Sequence, residues 1–247
     1  MMQPIYRQTF TLTDMDVDCF GRMKLSTLLT YAQEVAGKHS ALLGADYDSL
    51  VKMRLFWAVS RHKAQITRLP LLGETITLET WPMPTTRVAY PRSMVAYDAQ
   101  GSELFRIISL WVLMDMESRA MVLPGKSGVE VNGTLTGSEL SVPHSLIPKT
   151  MANTMQRTVT FTCLDRNGHM NNTRYLDWVE DLLPSAFHKE HTPKELVICY
   201  ANEAREGQLL HLNWELSQEG CLQVDAHREE TLVPGKKHRV FSALVLF

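Results

Sequence analysis

The sequence is poor in cysteine, and what it has is scattered. Cys19, Cys163, Cys199 and Cys221 form no CxxC pair among the 247 residues. That spacing gives no zinc-ligand signature and no disulfide framework, so a reducing cytoplasm is the expected compartment. Excess charge of either sign is also missing. A formal net charge of -2 supplies no global field for nucleic acid, although it leaves room for a local basic patch. Long apolar runs are absent as well. The richest stretch, Ile107 to Met114, is interrupted by Ser109 and is too short to span a bilayer. The opening MMQPIYRQTF lacks the apolar segment of a signal peptide. A soluble protein without membrane insertion is expected. What is present is apolar material: 45% of the residues are hydrophobic, enough for one large core or two small ones.

The apolar pattern runs through one plan twice. A strand over Tyr6–Thr13 leads into DMDVDCFGRM, and a helix follows with Leu25, Leu28, Leu29, Ala32, Val35 and Ala36 on one face. Strands are expected at Leu55–Arg68, Glu74–Trp81, Arg87–Tyr97 and Glu103–Met114, separated by turns at Leu72-Gly73 and Asp98-Ala99-Gln100-Gly101. Residues 125–154 then turn rich in Gly, Ser, Thr and Pro and lose the sustained period, which reads as a linker or surface-hugging connection. After it the plan restarts. A strand at Gln156–Cys163 leads into LDRNGHMNN. One helix then carries Tyr175, Leu176, Val179, Leu182, Leu183 and Phe187, and strands follow at Glu195–Arg205, Gln208–Ser217, Cys221–Glu229 and His238–Phe247.

Letters repeat along with pattern. Asp18-Cys19-Phe20-Gly21-Arg22-Met23 aligns with Asp165-Arg166-Asn167-Gly168-His169-Met170 at an offset of 165 − 18 = 147, matching at Asp, Gly and Met. A long helix beside antiparallel strands must bury its apolar face on the sheet. The expected fold is therefore α+β, a tandem (double) hotdog in which each module is a long helix wrapped by an antiparallel sheet. The N-terminal module covers 1–124 and the C-terminal module 155–247. Two copies in one chain would imitate the dimer that single hotdogs form, and a homodimer of the whole chain stays open.

The chemistry concentrates in Asp165-Arg166-Asn167-Gly168-His169-Met170-Asn171-Asn172. His169 can accept and return a proton near neutral pH. Gly168 permits a positive φ and close approach of the backbone. Asn171 or Asn172 is placed to cap the helix, whose free N–H groups and dipole suit a developing oxyanion. On residue chemistry alone a second reading stands equally: Asp, Asn and Gly populate turns and caps for conformational reasons only.

This segment resembles the acyl-ACP thioesterase family (ACP, acyl carrier protein), through D-x-N-G-H-x-N-N followed by the YLDWVED helix. The resemblance extends to FWAVSRHKAQITRLPLLGETITLETWP and SLWVLMDMESRAMVLP in the first half and to CYANEAREGQLL in the second. It implies a double hotdog and hydrolysis of fatty acyl-ACP to fatty acid and ACP, without metal or cofactor. It places the catalytic side chains at Asp165, Asn167, His169 and Glu203. A cysteine that the family often carries after the glutamate is Ala204 here, which has no thiolate to offer. In the first copy Phe20 and Arg22 stand at the Asn167 and His169 positions, and neither can act as a base.

Module one is thus expected to be non-catalytic and to form the acyl pocket from Leu25, Leu28, Leu29, Phe56, Trp57 and Val59, each of which also suits ordinary core packing. His169 and Glu203 are the candidates to activate water, with Asn167 and the backbone N–H groups of Gly168 and His169 as oxyanion donors. Asp165 could orient His169 or attack the thioester itself. Arg174, Lys236, Lys237 and Arg239 are candidate contacts for acidic ACP. His39, His62, His144, His188, His191, His211, His227 and His238 lie in no comparable motif and read as surface or core residues. The competing functions are an acyl-CoA thioesterase, a hotdog dehydratase and a non-catalytic acyl-thioester binding protein.

Overall fold

The structure, a computed structural model, describes residues 4–229 and 237–247. It divides into two compact units, Met1–Pro143 and His144–Phe247, with the division inside the Gly/Ser/Pro-rich connection.

In unit 1 the strands are β1 (Tyr6–Thr11), β2 (Leu55–Ile66), β3 (Thr75–Pro82), β4 (Tyr90–Tyr97), β5 (Glu103–Asp115) and the short β6 (Met121–Val122). They pair antiparallel in the order β1-β3-β4-β5-β2, with β6 on the end of β5. Alternation in β3 buries Ile76 and Leu78 on one face, where a period-two strand must put its apolar set. Helix α1 (Leu25–Leu42) presents Leu25, Leu28, Leu29, Ala32, Val35 and Ala36 as one buried stripe, as their 3.6-residue recurrence requires. No side chain caps its start, so packing of that stripe holds it. Two short helices, α2 (Tyr47–Lys52) and α3 (Pro124–Ser127), were not expected. Asp46 caps α2 by accepting from Ser49 N at 2.9 Å.

Residues 128–143 carry no helix or strand and run along unit 1. Thr134 N donates to Pro82 O (2.9 Å), Arg106 to Ser138 O (2.6 Å) and Arg61 to Pro143 O (3.0 Å). Trp81 Nε1 donates to Glu139 (3.0 Å). Partial burial would raise the Glu139 carboxyl, but hydrogen bonds from Thr136 and Trp81 outweigh it and hold the pKa at about 2.

Two histidines are fully enclosed in this unit. His39 on α1 accepts at Nδ1 from the buried guanidinium of Arg92 (3.1 Å), which burial lowers to about 10. His62 on β2 lies 2.7 Å, through Nδ1, from Ser109 Oγ on β5.

Unit 2 repeats the sheet with β7 (Asn153–Thr158), β8 (Glu195–Tyr200), β9 (Leu209–Leu216), β10 (Cys221–Glu229) and β11 (Lys237–Leu246), antiparallel in the order β8-β11-β10-β9-β7. Its helix differs from expectation. The apolar face read as one long helix is broken into α4 (Arg174–Glu180) and α5 (Ser185–Glu190), because Pro184 has no N–H to continue the ladder and stands as the cap of α5. The expected strand over Gln156–Cys163 also ends early, at Thr158, and Phe161–Cys163 forms a 3₁₀ turn.

The duplication reaches individual hydrogen bonds. Asp18 N donates to Arg22 O and Asp165 N to His169 O, both at 2.7 Å. Gly21 N donates to Asp18 O and Gly168 N to Asp165 O, both at 3.0 Å, with the glycines at φ +74° and +75°. Met23 N donates to Pro70 O and Met170 N to Ala204 O, both at 2.8 Å. These last bonds extend the correspondence past the loop, now at an offset of 204 − 70 = 134. Glu203 therefore has Leu69 as its counterpart.

Candidate active site

The loop from Asp165 to Asn172 is closed by an antiparallel bridge between Leu164 and Met170 and joined to the segment after β8 by a bridge between His169 and Arg205. The second bridge joins residues 36 positions apart (205 − 169) and carries Glu203 to the loop. His169 Nε2 lies 3.1 Å from Glu203 Oε2. The ring is largely enclosed, with 12% of its side chain exposed, while Glu203 is 43% exposed. A neutral imidazole that donates Nε2–H to the carboxylate keeps Nδ1 as its lone-pair nitrogen, and the carboxylate stabilises the ring when it protonates. Of the four side chains expected here, the structure thus brings His169 and Glu203 into direct contact. Asn167 is exposed, with its amide 3.5 Å from Asp165 Oδ2.

The backbone donors proposed for the oxyanion are not free. Gly168 N donates to Asp165 O at 3.0 Å, and His169 N to Asp165 Oδ1 at 3.2 Å. The turn that positive φ at Gly168 permits consumes both groups. Nor does the helix end serve as expected. The cap of α4 is Thr173, while Asn171 Oδ1 accepts from Thr173 N and Oγ1, both at 3.0 Å. With seven residues, α4 sums few peptide dipoles. Of the donors expected for the oxyanion, the Asn167 amide makes the longest contact with Asp165, 3.5 Å to Oδ2.

Two tyrosines, the buried Tyr175 and the half-buried Tyr200, hold the frame and escaped sequence reasoning. Tyr200 Oη donates to Asn172 O at 3.0 Å, tying β8 to the end of the loop. Burial pushes the Tyr175 phenol well above its ordinary range, opposed by a hydrogen bond from the Ala204 backbone beside Glu203. Their rings lie 5.9 Å apart, and Tyr175 also packs on Phe241. In sequence Tyr175 reads as one more apolar-face residue, and nothing in the letters marks Tyr200.

The remaining candidates fall in different places. Leu25, Leu28 and Leu29 are wholly buried in the core of unit 1. Phe56, Trp57 and Val59 are half-buried on β2; Trp57 donates to Ala45 O (2.8 Å) and meets Tyr90 edge-on, and Arg119 lies over the Phe56 ring. Among the basic candidates, Arg174 is 53% exposed and paired along its helix with Asp177 (3.1 Å), and Lys237 is exposed. Lys236 lies outside the described residues. Arg239 is not a surface cation in search of a partner. Its guanidinium is bidentate to the buried carboxylate of Asp225 (2.6 and 2.9 Å) and donates to Leu146 O. Cys199 is half-buried on β8 with Sγ directed at His144 O, and Ala204 is fully buried.

In the first unit the same frame carries other side chains. Arg22 turns back onto Asp18 (3.0 Å) and over the Phe20 ring (4.9 Å), and Leu69 stands where Glu203 does.

Two family models match the chain, one in each half. The family model described as acyl-ACP thioesterase N-terminal domain matches residues 3–123, and that described as acyl-ACP thioesterase C-terminal domain matches residues 148–239. A palmitoyl-acyl carrier protein thioesterase (chloroplastic) of Gossypium hirsutum is 24% identical over 221 residues, covering 83% of this chain and 54% of that protein. The chain spans about half the length of the curated relatives it matches. A crystal structure of an acyl-ACP thioesterase from Bacteroides thetaiotaomicron superposes with a TM-score of 0.88 at 21% identity, covering 99% of this chain and 98% of that one. The 12:0-ACP thioesterase of Umbellularia californica gives 0.81 at 21% identity, covering 100% and 98%. These likenesses carry the double hotdog fold. No helix among the described residues is long and apolar enough to cross a membrane. With both domain models matched in order along most of its length, the chain belongs to the acyl-ACP thioesterase family.

Proposed function

We propose that the chain is a thioester hydrolase that releases free fatty acid from fatty acyl-ACP without metal or cofactor. The observation that carries this reading is the His169–Glu203 contact of 3.1 Å beside Asn167, present in one unit and replaced by Arg22, Leu69 and Phe20 in the other. Water attacks the thioester carbonyl and gives its proton to His169, whose positive charge Glu203 offsets. The Asn167 amide donates to the oxyanion of the tetrahedral intermediate. The C–S bond then breaks, and the leaving thiolate takes the proton from His169. Unit 1 houses the acyl chain; Trp57 and Val59, half-buried on one face of β2, suit that role better than Leu25, Leu28 and Leu29, which already fill the core, while alternation turns Phe56 to the other face. The four unpaired thiols fit a reducing compartment such as the cytoplasm.

The carrier is tested by hydrolysis of matched ACP and CoA esters over a panel of chain lengths at rising salt. With acidic ACP docking on exposed cations such as Arg174 and Lys237, kcat/KM for acyl-ACP should fall about tenfold between 0.1 and 1 M salt, as screening shortens from about 10 to about 3 Å. Arg174→Glu should weaken acyl-ACP turnover more than acyl-CoA turnover. A flat salt profile with equal rates on both esters would transfer the activity to CoA substrates. An enoyl product in place of free acid would indicate a dehydratase.

A further inference from the structure

The interior of unit 1 is not apolar throughout. On the sheet face that carries Trp57 and Val59, cross-strand register sets one polar row between apolar rows. Val59, Trp111 and Tyr90 share a row across β2, β5 and β4. The next row is His62, Ser109 and Arg92, and the one after it is Ala64, Ile107 and Met94. A bulge between Val59 and Arg61 makes this pattern, because the extra residue turns His62 to the face of Val59. All three polar side chains are buried. His62 Nδ1 lies 2.7 Å from Ser109 Oγ, and Arg92 donates to His39 Nδ1 (3.1 Å) and Thr80 Oγ1 (3.3 Å). Among the described residues Arg92 meets no carboxylate. His39 is in the last turn of α1, so this polar belt stands where the helix ends.

The two sides of the belt differ. Behind it Ala64, Ile107 and Met94, with Ile66 and Phe105 in the following row, are buried in the core. In front of it Trp57, Val59 and Trp111 are only half-buried. The Trp111 ring meets His62 edge-on (6.4 Å), and its Nε1 is a buried donor without a partner among the described residues. We propose that the belt is the floor of the acyl site: the end of the acyl chain stops against it, and His62, Ser109 and Arg92 set the longest chain that unit 1 accepts. This rests on the reading of the protein as an acyl-ACP hydrolase with its acyl site in unit 1. A chain running past the belt would have to part His62 from Ser109, or Arg92 from His39 and Thr80. A methylene replaces none of those hydrogen bonds, and a guanidinium buried without a counter-charge is costlier still to strip.

Hydrolysis of acyl-ACP esters from hexanoyl to stearoyl tests this, with thermal melts to confirm folding. The double variant His62→Ala/Ser109→Ala removes both partners of one belt bond, so neither is orphaned, and opens the floor. On esters just longer than the wild-type optimum its kcat/KM should rise about tenfold, the effect of burying about two more methylenes. Ile107→Ala opens a cavity behind the belt and should leave the chain-length profile unchanged. Val59→Trp fills the row in front and should move the optimum to shorter chains. The wild type supplies a test that needs no substitution, and it decides if the double variant does not fold. A terminal hydroxyl on the longest ester it hydrolyses should leave kcat/KM within about twofold, because belt groups and Trp111 Nε1–H can bond it, whereas an apolar floor would cost about tenfold or more. The proposal falls if the folded double variant keeps the wild-type profile, if Ile107→Ala shifts the profile equally, or if the hydroxyl costs about tenfold. A wild type that hydrolyses none of the esters would remove the hydrolase reading instead. Calorimetric titration of the free fatty acids of the panel would then read the floor on binding alone, with the same shift expected in the double variant.

Discussion

Replacing His169 with alanine should lower kcat/KM on acyl-ACP about a thousandfold, while Arg22→Ala should leave it within about twofold. The two positions are related by the internal duplication, and their backbones make the same bonds at the same 2.7 Å distance. What differs is proton chemistry. His169 meets Glu203 and can cycle between neutral and charged forms. Arg22 stays charged and is occupied by Asp18 and Phe20. On the proposed mechanism, loss of His169 removes the proton acceptor for water and the acid that returns a proton to the thiolate. Loss of Arg22 removes a partly exposed ion pair and a cation–π contact, which costs stability by about 1 kcal/mol. Steady-state kinetics paired with thermal melts separates these effects. Equal loss of turnover in two folded variants would mean that unit 1 carries a share of the chemistry.

The loop that carries this prediction stood out because its letters are chemical: His169 and Asn167 stand where the first copy has Arg22 and Phe20, whereas Glu203 came only from the family resemblance. Helix α1 was legible for a different reason. Its apolar stripe runs unbroken from Leu25 to Ala36 and no proline interrupts it. The second helix misled because Leu182 and Leu183 extend the same stripe up to Pro184, and periodicity alone does not register a missing N–H. Helix α2 is too short to show a period, and only its Asp46–Ser49 cap marks it. The counterpart of Glu203 was beyond the sequence, because the offset changes from 147 to 134 between the loop and the segment after β8 and only the shared Met23–Pro70 and Met170–Ala204 bonds reveal the shift. The use of the Gly168 and His169 N–H groups was hidden too, since letters do not say which way a carboxylate turns. Arg239 shows the same limit. A basic run in sequence looks like a surface, yet its β11 alternation places this guanidinium against Asp225.

Stability should fall with acidification well before the carboxylates titrate, through His62. Its ring, on β2 beside Ser109 of the neighbouring β5, is fully buried, and burial pulls its pKa from 6.5 to about 3. The folded state therefore keeps His62 neutral while the unfolded chain protonates it below 6.5. The unfolded state binds the extra proton, so the stabilisation is complete above pH 6.5 and is lost as pH falls toward 3. The loss approaches about 1.4 kcal/mol per pH unit, or nearly 3 kcal/mol by pH 4.5 and about 5 kcal/mol over the whole window. Below about pH 4.5 the carboxylates held low by hydrogen bonds, Glu74 and Glu139 among them, add their own loss in the same direction. The range from 6.5 to 4.5 is therefore where His62 is read. Urea unfolding of the wild type and of His62→Gln at half-unit pH steps makes the measurement. Glutamine can still bond Ser109 Oγ and does not titrate. The difference between the two curves isolates one proton, because His39, the other wholly buried histidine, is present in both proteins. Parallel curves through this range, with both proteins folded at pH 7.5, would show that water or a local opening reaches the His62 ring and that burial is not what keeps it neutral.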